Sequence, residues 1–201
     1  MNEKTIALFG TGRAKQGDSA YNLAYETGRL LAQAGFTIIN GGYGGTMEAA
    51  AKGAAEVRHE FRRESGDFAP NRRTGDIVPN RRTGGEIIGV TCSAFKSSKA
   101  NKYVSRTIVT GSLDERLDTL IKLGQAYVVL PGGTGTLLEL AKVWELKNKG
   151  FLETGKPIIL VGSFWKPLVD LVAIDDPDSS RYIKLADSPE EVVGLIIEDQ
   201  R

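Results

Sequence analysis

The two side chains best suited to chemistry are Glu139 and Arg116, and nothing in the helices that carry them demands either one. Glu139 follows Pro131-Gly-Gly-Thr-Gly-Thr136, a turn whose glycines permit positive φ and let a ligand approach the main chain. The free N–H groups of the helix opening there attract an anion, and the helix dipole adds to the attraction. Gly132, Gly133 and Gly135 therefore offer backbone donors, Thr134 and Thr136 add hydroxyls, and the expected anion is a phosphate. At about 100° of rotation per residue, Glu139 lies about 200° from Leu137. Leu137, Leu140, Ala141 and Trp144 are expected on the core face, so Glu139 points away from it. A carboxylate in that place can activate water or stabilise positive charge on whatever the phosphate carries. Taken alone, it also reads as a solvated acid favoured by the helix dipole. Arg116 sits about 100° from Leu117, flanking a core stripe of Leu113, Leu117, Leu120 and Ile121. An arginine there can hold a phosphate or a developing negative charge. The neighbouring Ser112 and Glu115 are explained as a capping box.

These residues need elements to hold them. Tyr127-Val-Val-Leu130 is an apolar run suited to a strand buried on both faces, and it leads directly into the 131–136 turn. The same order of strand, glycines and helix recurs twice earlier. Thr5 to Phe9 reads as a strand running into Gly10-Thr-Gly-Arg13, where Gly10 and Thr11 are candidate nucleotide contacts. Gly10 and Gly12 fit a dinucleotide fingerprint, but Lys15 occupies its third glycine position, so that motif fails. Asp18 or Ser19 caps a helix with the stripe Leu23, Ala24, Leu30, Leu31 and Ala34, and Gly35 ends it. Phe36 to Ile39 form a second strand, followed by Asn40-Gly-Gly-Tyr-Gly-Gly-Thr46 and the helix Met47 to Ala55. Gly42, Gly44, Gly45 and Thr46 are candidate phosphate contacts, with a tight structural turn as the alternative; no Gly-Lys-Ser/Thr follows to make a P-loop. Small residues through this helix suit close packing on the sheet.

Further strands are expected at Ile87–Val90, Arg106–Val109 and Ile158–Val161, and helices near Trp165–Val172 and Ser188–Glu198 with Pro189 in the first turn. Strands alternating with helices give an α/β fold, a Rossmann-like, doubly wound parallel sheet in three α/β/α layers. Ligands of such sheets bind at the carboxyl ends of strands. The turns at 10–13, 41–46, 110–116 and 131–136 all follow strands, so all four open on one rim, and that convergence makes the case for a site.

The 201 residues suit one domain, 1–201, interrupted at 57–85 by an Arg-, Gly- and Pro-rich segment. Pro70 to Val78 and Pro79 to Ile87 are tandem nine-residue repeats within it, read as a flexible surface insertion. A net charge of +1 carries no nucleic-acid footprint, and the arginine pairs at 72–73 and 81–82 read as a solvated loop. The single Cys92 excludes an internal disulfide and fits a reducing compartment. No long apolar run exists and Met1–Lys4 leads straight into a strand, so neither a membrane span nor a signal peptide is expected, and the location is expected to be cytoplasmic. His59 is the only histidine, which leaves neither a histidine base nor a histidine metal cluster; no metal site is expected.

Gly-Gly-Tyr-Gly-Gly-Thr-Met47, Asp-Glu-Arg116 and Pro-Gly-Gly-Thr-Gly-Thr-Leu-Leu-Glu139 resemble the Lonely Guy family of nucleoside 5′-monophosphate phosphoribohydrolases, long labelled lysine decarboxylases. The resemblance covers nearly the whole chain outside 57–85. It implies hydrolysis of the base–ribose bond of a cytokinin riboside monophosphate or an AMP-like nucleotide, with Glu139 and Arg116 as the catalytic pair and no cofactor. It also implies a small-molecule nucleotide as partner and a homodimer or higher homo-oligomer. Leu117 stands where the family usually has lysine, and Thr46-Met47-Glu48 replaces its Leu-Met-Gly signature. The Met-Glu-Ala-Ala-Ala-Lys-Gly-Ala form is closer to relatives resembling molybdenum-cofactor carriers, so a carrier without catalysis is the alternative. The decarboxylase label needs pyridoxal phosphate on a lysine, and no motif supports one.

Overall fold

A computed structural model describes residues 4–64, 85–95 and 99–199 of the chain. Among these, seven strands form one sheet: β1 (Thr5–Phe9), β2 (Thr37–Asn40), β3 (Ile87–Cys92), β4 (Arg106–Thr110), β5 (Ala126–Val129), β6 (Ile158–Val161) and β7 (Ile183–Ala186). Six helices join them: α1 (Ser19–Gln33), α2 (Thr46–Glu64), α3 (Leu113–Leu123), α4 (Thr134–Asn148), α5 (Lys166–Asp175) and α6 (Pro189–Glu198), with a 3-10 helix at Pro177–Tyr182. The strand order is β4-β3-β2-β1-β5-β6-β7 and every pairing is parallel. The chain winds outward from β1 to one edge, returns to place β5 beside β1, then winds to the other edge. This is the doubly wound Rossmann-like sheet the sequence predicts.

Strand alternation separates two cores. Ile6, Leu8 and Ile38 face α1, α2 and α6, whereas Ala7, Phe9 and Ile39 face α3, α4 and α5. The α/β/α layering follows. The small residues of α2 serve a neighbouring helix as well as the sheet. A Cβ on Gly28 of α1 would meet the Ala50 carbonyl oxygen at 2.2 Å, and one on Gly53 of α2 would meet that of Tyr25 at 2.2 Å. The two helices therefore pack backbone against backbone.

Two sequence expectations change here. Helix α2 continues to Glu64 with Val57 buried, so the regular structure reaches well into the 57–85 segment. Of the tandem repeats, only Gly85, Glu86 and Ile87 fall within the described residues, and Ile87 is a core residue opening β3. Strand β7 and the 3-10 helix before it were not expected. Trp144 of α4 holds that helix by donating its indole N–H to the Ser179 carbonyl at 2.9 Å. Among the described residues no helix is long and apolar enough to cross a membrane.

Candidate functional site

The sheet reverses direction between β1 and β5, where crevices form at strand carboxyl ends. Phe9 is in register with Val129, and the Leu130 N–H donates to the Phe9 carbonyl at 2.9 Å. The 10–13 and 131–133 turns thus leave the sheet side by side, and a cleft of about 840 Å³ opens between them. Gly10, Thr11, Gly132, Gly133, Thr134, Gly135 and Thr136 line it, together with Arg116 and Glu139.

Helix α4 starts at this cleft with Gly133 as its N-cap and no side-chain cap bond. Its first intrahelical bond runs from the Leu137 N–H to the Gly133 carbonyl at 2.9 Å, so the N–H groups of Thr134, Gly135 and Thr136 precede the helical ladder. The glycines have distinct tasks. A Cβ on Gly132 would meet Thr136 Oγ1 at 2.2 Å, so this glycine closes the turn. A Cβ on Gly133 or Gly135 would meet nothing within 4 Å. Both face open space, which is where an anion on those N–H groups would sit.

The second glycine-rich turn does something else. Thr46 is fully buried, and its N–H and hydroxyl both donate to the Thr11 carbonyl, at 2.9 and 3.0 Å. Gly45 has φ of +70° and a Cβ there would meet that same carbonyl oxygen at 2.3 Å. Gly42 has φ of +74° and donates its N–H to Asn40 Oδ1 at 2.8 Å. Gly42, Gly44, Gly45 and Thr46 are absent from the cleft wall. The N–H groups of Gly42 and Thr46 are already engaged, and Gly45 and Thr46 brace the 10–13 loop through the Thr11 carbonyl. Met47, one residue further on, lines the cleft instead.

Arg116 reaches the cleft from the first turn of α3. Ser112 caps that helix by accepting the Glu115 N–H at 3.1 Å, while Glu115 Oε2 accepts the N–H of Gly111 at 2.7 Å. The guanidinium is fixed on several sides. Its Nε donates to the Val90 carbonyl at 2.9 Å, and its Cζ lies 5.6 Å from the centroid of the Tyr43 ring and 6.0 Å from that of the Phe95 ring. A Cβ on Gly41 would come within 1.9 Å of Nη2, so a side chain there would displace the guanidinium from this position. Nη1 stands 3.6 Å from Glu139 Oε1.

Glu139 does not point away from the core. It is 8% exposed and Arg116 is 7% exposed. The buried stripe of α4 is Thr136, Glu139, Leu140, Val143, Trp144 and Lys147, whereas Leu137, Leu138 and Ala141 are exposed. On α3, Leu113 is likewise exposed. Reading apolar residues as the inward face misled here, because the inward face of α4 meets the cleft at its first turns and the sheet only afterwards. Burial pushes the Glu139 carboxyl up to about 7, with Arg116 pulling the other way. Lys147, the buried lysine of this helix, donates to the carbonyls of Glu153, Thr154 and Lys156 at 2.7, 2.6 and 2.8 Å, far along α4 from the cleft.

Sequence reasoning missed Arg13, Met47 and Phe164 as cleft residues. Each stands just after a strand on the same rim, which was the available signal. Among the described residues no group of three or more His, Cys, Asp or Glu could hold a metal ion.

A family model described as "possible lysine decarboxylase" matches residues 76–196, more than half of the chain. The chain belongs to that family. It is the Lonely Guy family that the three motifs resemble, and a model of the SLOG cluster4 family matches residues 3–59. Solved structures share the fold across the whole chain. The molybdenum cofactor binding protein of Rippkaea orientalis matches at 24% identity and a TM-score of 0.71, covering 100% of this chain and 99% of that one. The molybdenum cofactor carrier protein of Chlamydomonas reinhardtii matches at 20% identity and 0.69, covering 98% of each. DNA processing protein A of Streptococcus pneumoniae matches at 14% and 0.57, over 96% of this chain and 61% of that one. An uncharacterised protein of Archaeoglobus fulgidus is 44% identical over 54 residues, 27% of this chain and 34% of that relative. The chain thus matches about a third of that relative's length.

Proposed function

We propose that this Lonely Guy family chain hydrolyses the N-glycosidic bond of a nucleoside 5′-monophosphate, releasing the free base and ribose 5-phosphate. The observation that carries the reading is the buried Arg116–Glu139 pair in the cleft that the 131–136 turn lines. The 5′-phosphate takes the N–H groups at the start of α4, and the ribose then lies against Glu139. As the bond between C1′ and the base nitrogen breaks, its electron pair leaves with the base and positive charge grows on the ribose ring. The ionised Glu139 stabilises that charge and takes a proton from the water that adds at C1′. The departing base gains a proton, so the elements of water are divided between the two products. Arg116, held by Val90, Tyr43 and Phe95, needs no reorganisation to face the charge that develops.

The decarboxylase description has no support in the cleft. Schiff-base chemistry needs an accessible lysine, and no described residue lining the cleft is one.

A second reading, a molybdenum-cofactor carrier without catalysis, is favoured by the names of two of the structural neighbours. Glu48 belongs to that reading, yet it does not line the cleft. Incubating the purified chain with a panel of nucleoside monophosphates and following free base by chromatography separates the two. Base release that disappears in Glu139→Gln supports hydrolysis. A pterin that co-purifies with the chain, without base release, supports the carrier.

A further inference from the structure

Phe164 is a cleft residue that the reaction leaves without a task. It is 55% exposed, on the loop that follows β6, the strand next to β5. Its ring is nevertheless held. Phe164 packs edge-on against Trp165, with centroids 4.9 Å apart and planes at 85°. Trp165 is buried and donates its indole N–H to the Leu130 carbonyl at 3.0 Å. Leu130 is the residue immediately before the 131–136 turn. An exposed aromatic ring is thus tied, through one ring contact and one hydrogen bond, to the backbone from which the phosphate turn begins. Strands β2 and β6 lie on either side of the β1–β5 pair, so Met47, which follows β2, lines the cleft from the far side. Met47 stands beside the Arg116 guanidinium, where a Cβ on Gly41 would meet Nη2 at 1.9 Å and the Met47 sulfur at 2.7 Å, and Phe164 is the one aromatic ring among the described lining residues.

We propose that Phe164 is the stacking platform for the planar heteroaromatic ring of the bound nucleotide, a proposal that rests on the nucleotide reading above. Such a platform reads the face of the ring and tolerates its edge, so it admits several bases and gives nothing to a sugar phosphate that lacks one.

The test is equilibrium binding by calorimetry, with Glu139→Gln to keep the substrate uncleaved. AMP and ribose 5-phosphate are each titrated into Glu139→Gln alone and into the same chain carrying Phe164→Ala, Phe164→Leu or Phe164→Trp. Loss of the ring should weaken AMP about tenfold in the Ala variant, as stacking platforms do elsewhere. The Leu variant, which keeps bulk against Trp165 but has no π-face, should also be weak, and the Trp variant should bind as the parent does. Ribose 5-phosphate should bind all four alike. Unchanged AMP affinity in Phe164→Ala overturns the proposal, and so does an equal loss for both ligands, which would make Phe164 a support of the phosphate turn. Unmutated chain that binds AMP without releasing base overturns the hydrolysis reading alone, because the ratio of affinities still decides the role of Phe164. If AMP and ribose 5-phosphate bind to none of these chains, both readings fall.

Discussion

Glu139 and Arg116 make opposite demands on one buried spot. Burial favours the neutral carboxyl, and a guanidinium nitrogen 3.6 Å away favours the ionised one. The balance puts the carboxyl at about 7, so both forms are present near neutrality. A base works ionised; kcat/KM for a nucleoside monophosphate should therefore climb with pH through about 7. In Glu139→Gln turnover should fall by about two to four orders of magnitude and that pH dependence should vanish. Stability carries the same shift with the opposite sign. The folded-state value lies above the ordinary 4.5, so the native state holds its proton more tightly than the unfolded chain does. This contribution is complete below 4.5 and is lost as pH rises through about 7. Glutamine has no such term, so the melting temperature of the variant relative to the parent should rise between about pH 5 and about pH 8. A difference that stays constant across that range would show that the carboxyl titrates as it does in water.

At the scale of elements, glycines divide into those that close the structure and those that open it to a ligand. Gly135 lies in the first turn of α4 with nothing within 4 Å of an added Cβ, whereas Gly28 faces the Ala50 carbonyl oxygen at 2.2 Å. Gly135→Ala should therefore raise stability, by up to about 1 kcal/mol, because alanine is the better helix former. It should also raise KM, since the new methyl group projects into the cleft. Gly28→Ala should cost about 1–3 kcal/mol by forcing α1 from α2, with the Gly10–Arg13 and Pro131–Thr136 turns untouched. Urea unfolding and steady-state kinetics on both variants check the pair; a Gly135→Ala chain that loses stability would place protein atoms where the cleft stands open. The strand–turn–helix order made the 131–136 turn legible, because an apolar run ending in Pro-Gly-Gly has few other uses. It could not tell that turn from the 41–46 turn, since both share a composition. Only the fold shows that Thr46 is committed to the Thr11 carbonyl while Gly133 and Gly135 face open space. The inward face of α4 was misread for a related reason. Leu137 and Leu138 are exposed, and the polar residues Thr136 and Glu139 turn inward where the cleft interrupts the core.

For the whole molecule, the alternation of elements was enough to predict a parallel sheet and one functional rim, because parallel strands need crossovers and crossovers put every βα turn at the same end. What it left open was strand order. The reversal between β1 and β5 brings Thr11 and Gly133, more than a hundred residues apart in sequence, onto one cleft, and it carries Arg116 from α3 to Glu139 on α4. Strand β7 escaped notice because Ile183–Ala186 is short and only partly buried, with too little apolar pattern to stand out. In the proposed reading the 5′-phosphate sits at the start of α4 and the bond that breaks lies beside Glu139, so the phosphate itself takes no part in the bond-breaking step. Remote binding energy of this kind acts on the rate as well as on affinity, because it orients the reacting centre. A nucleoside should consequently be cleaved at least about a hundredfold less efficiently than its monophosphate, from the loss of charge-assisted hydrogen bonds of about 1.5–3 kcal/mol each. The comparison is made at matched concentrations of adenosine and AMP by following adenine release. The deficit should appear in kcat as well as KM and should shrink in Gly135→Ala, where the phosphate seat is already obstructed. Equal efficiency for the two substrates would make the Pro131–Thr136 turn a purely structural one and would remove the anchor on which the orientation of ribose against Glu139 depends.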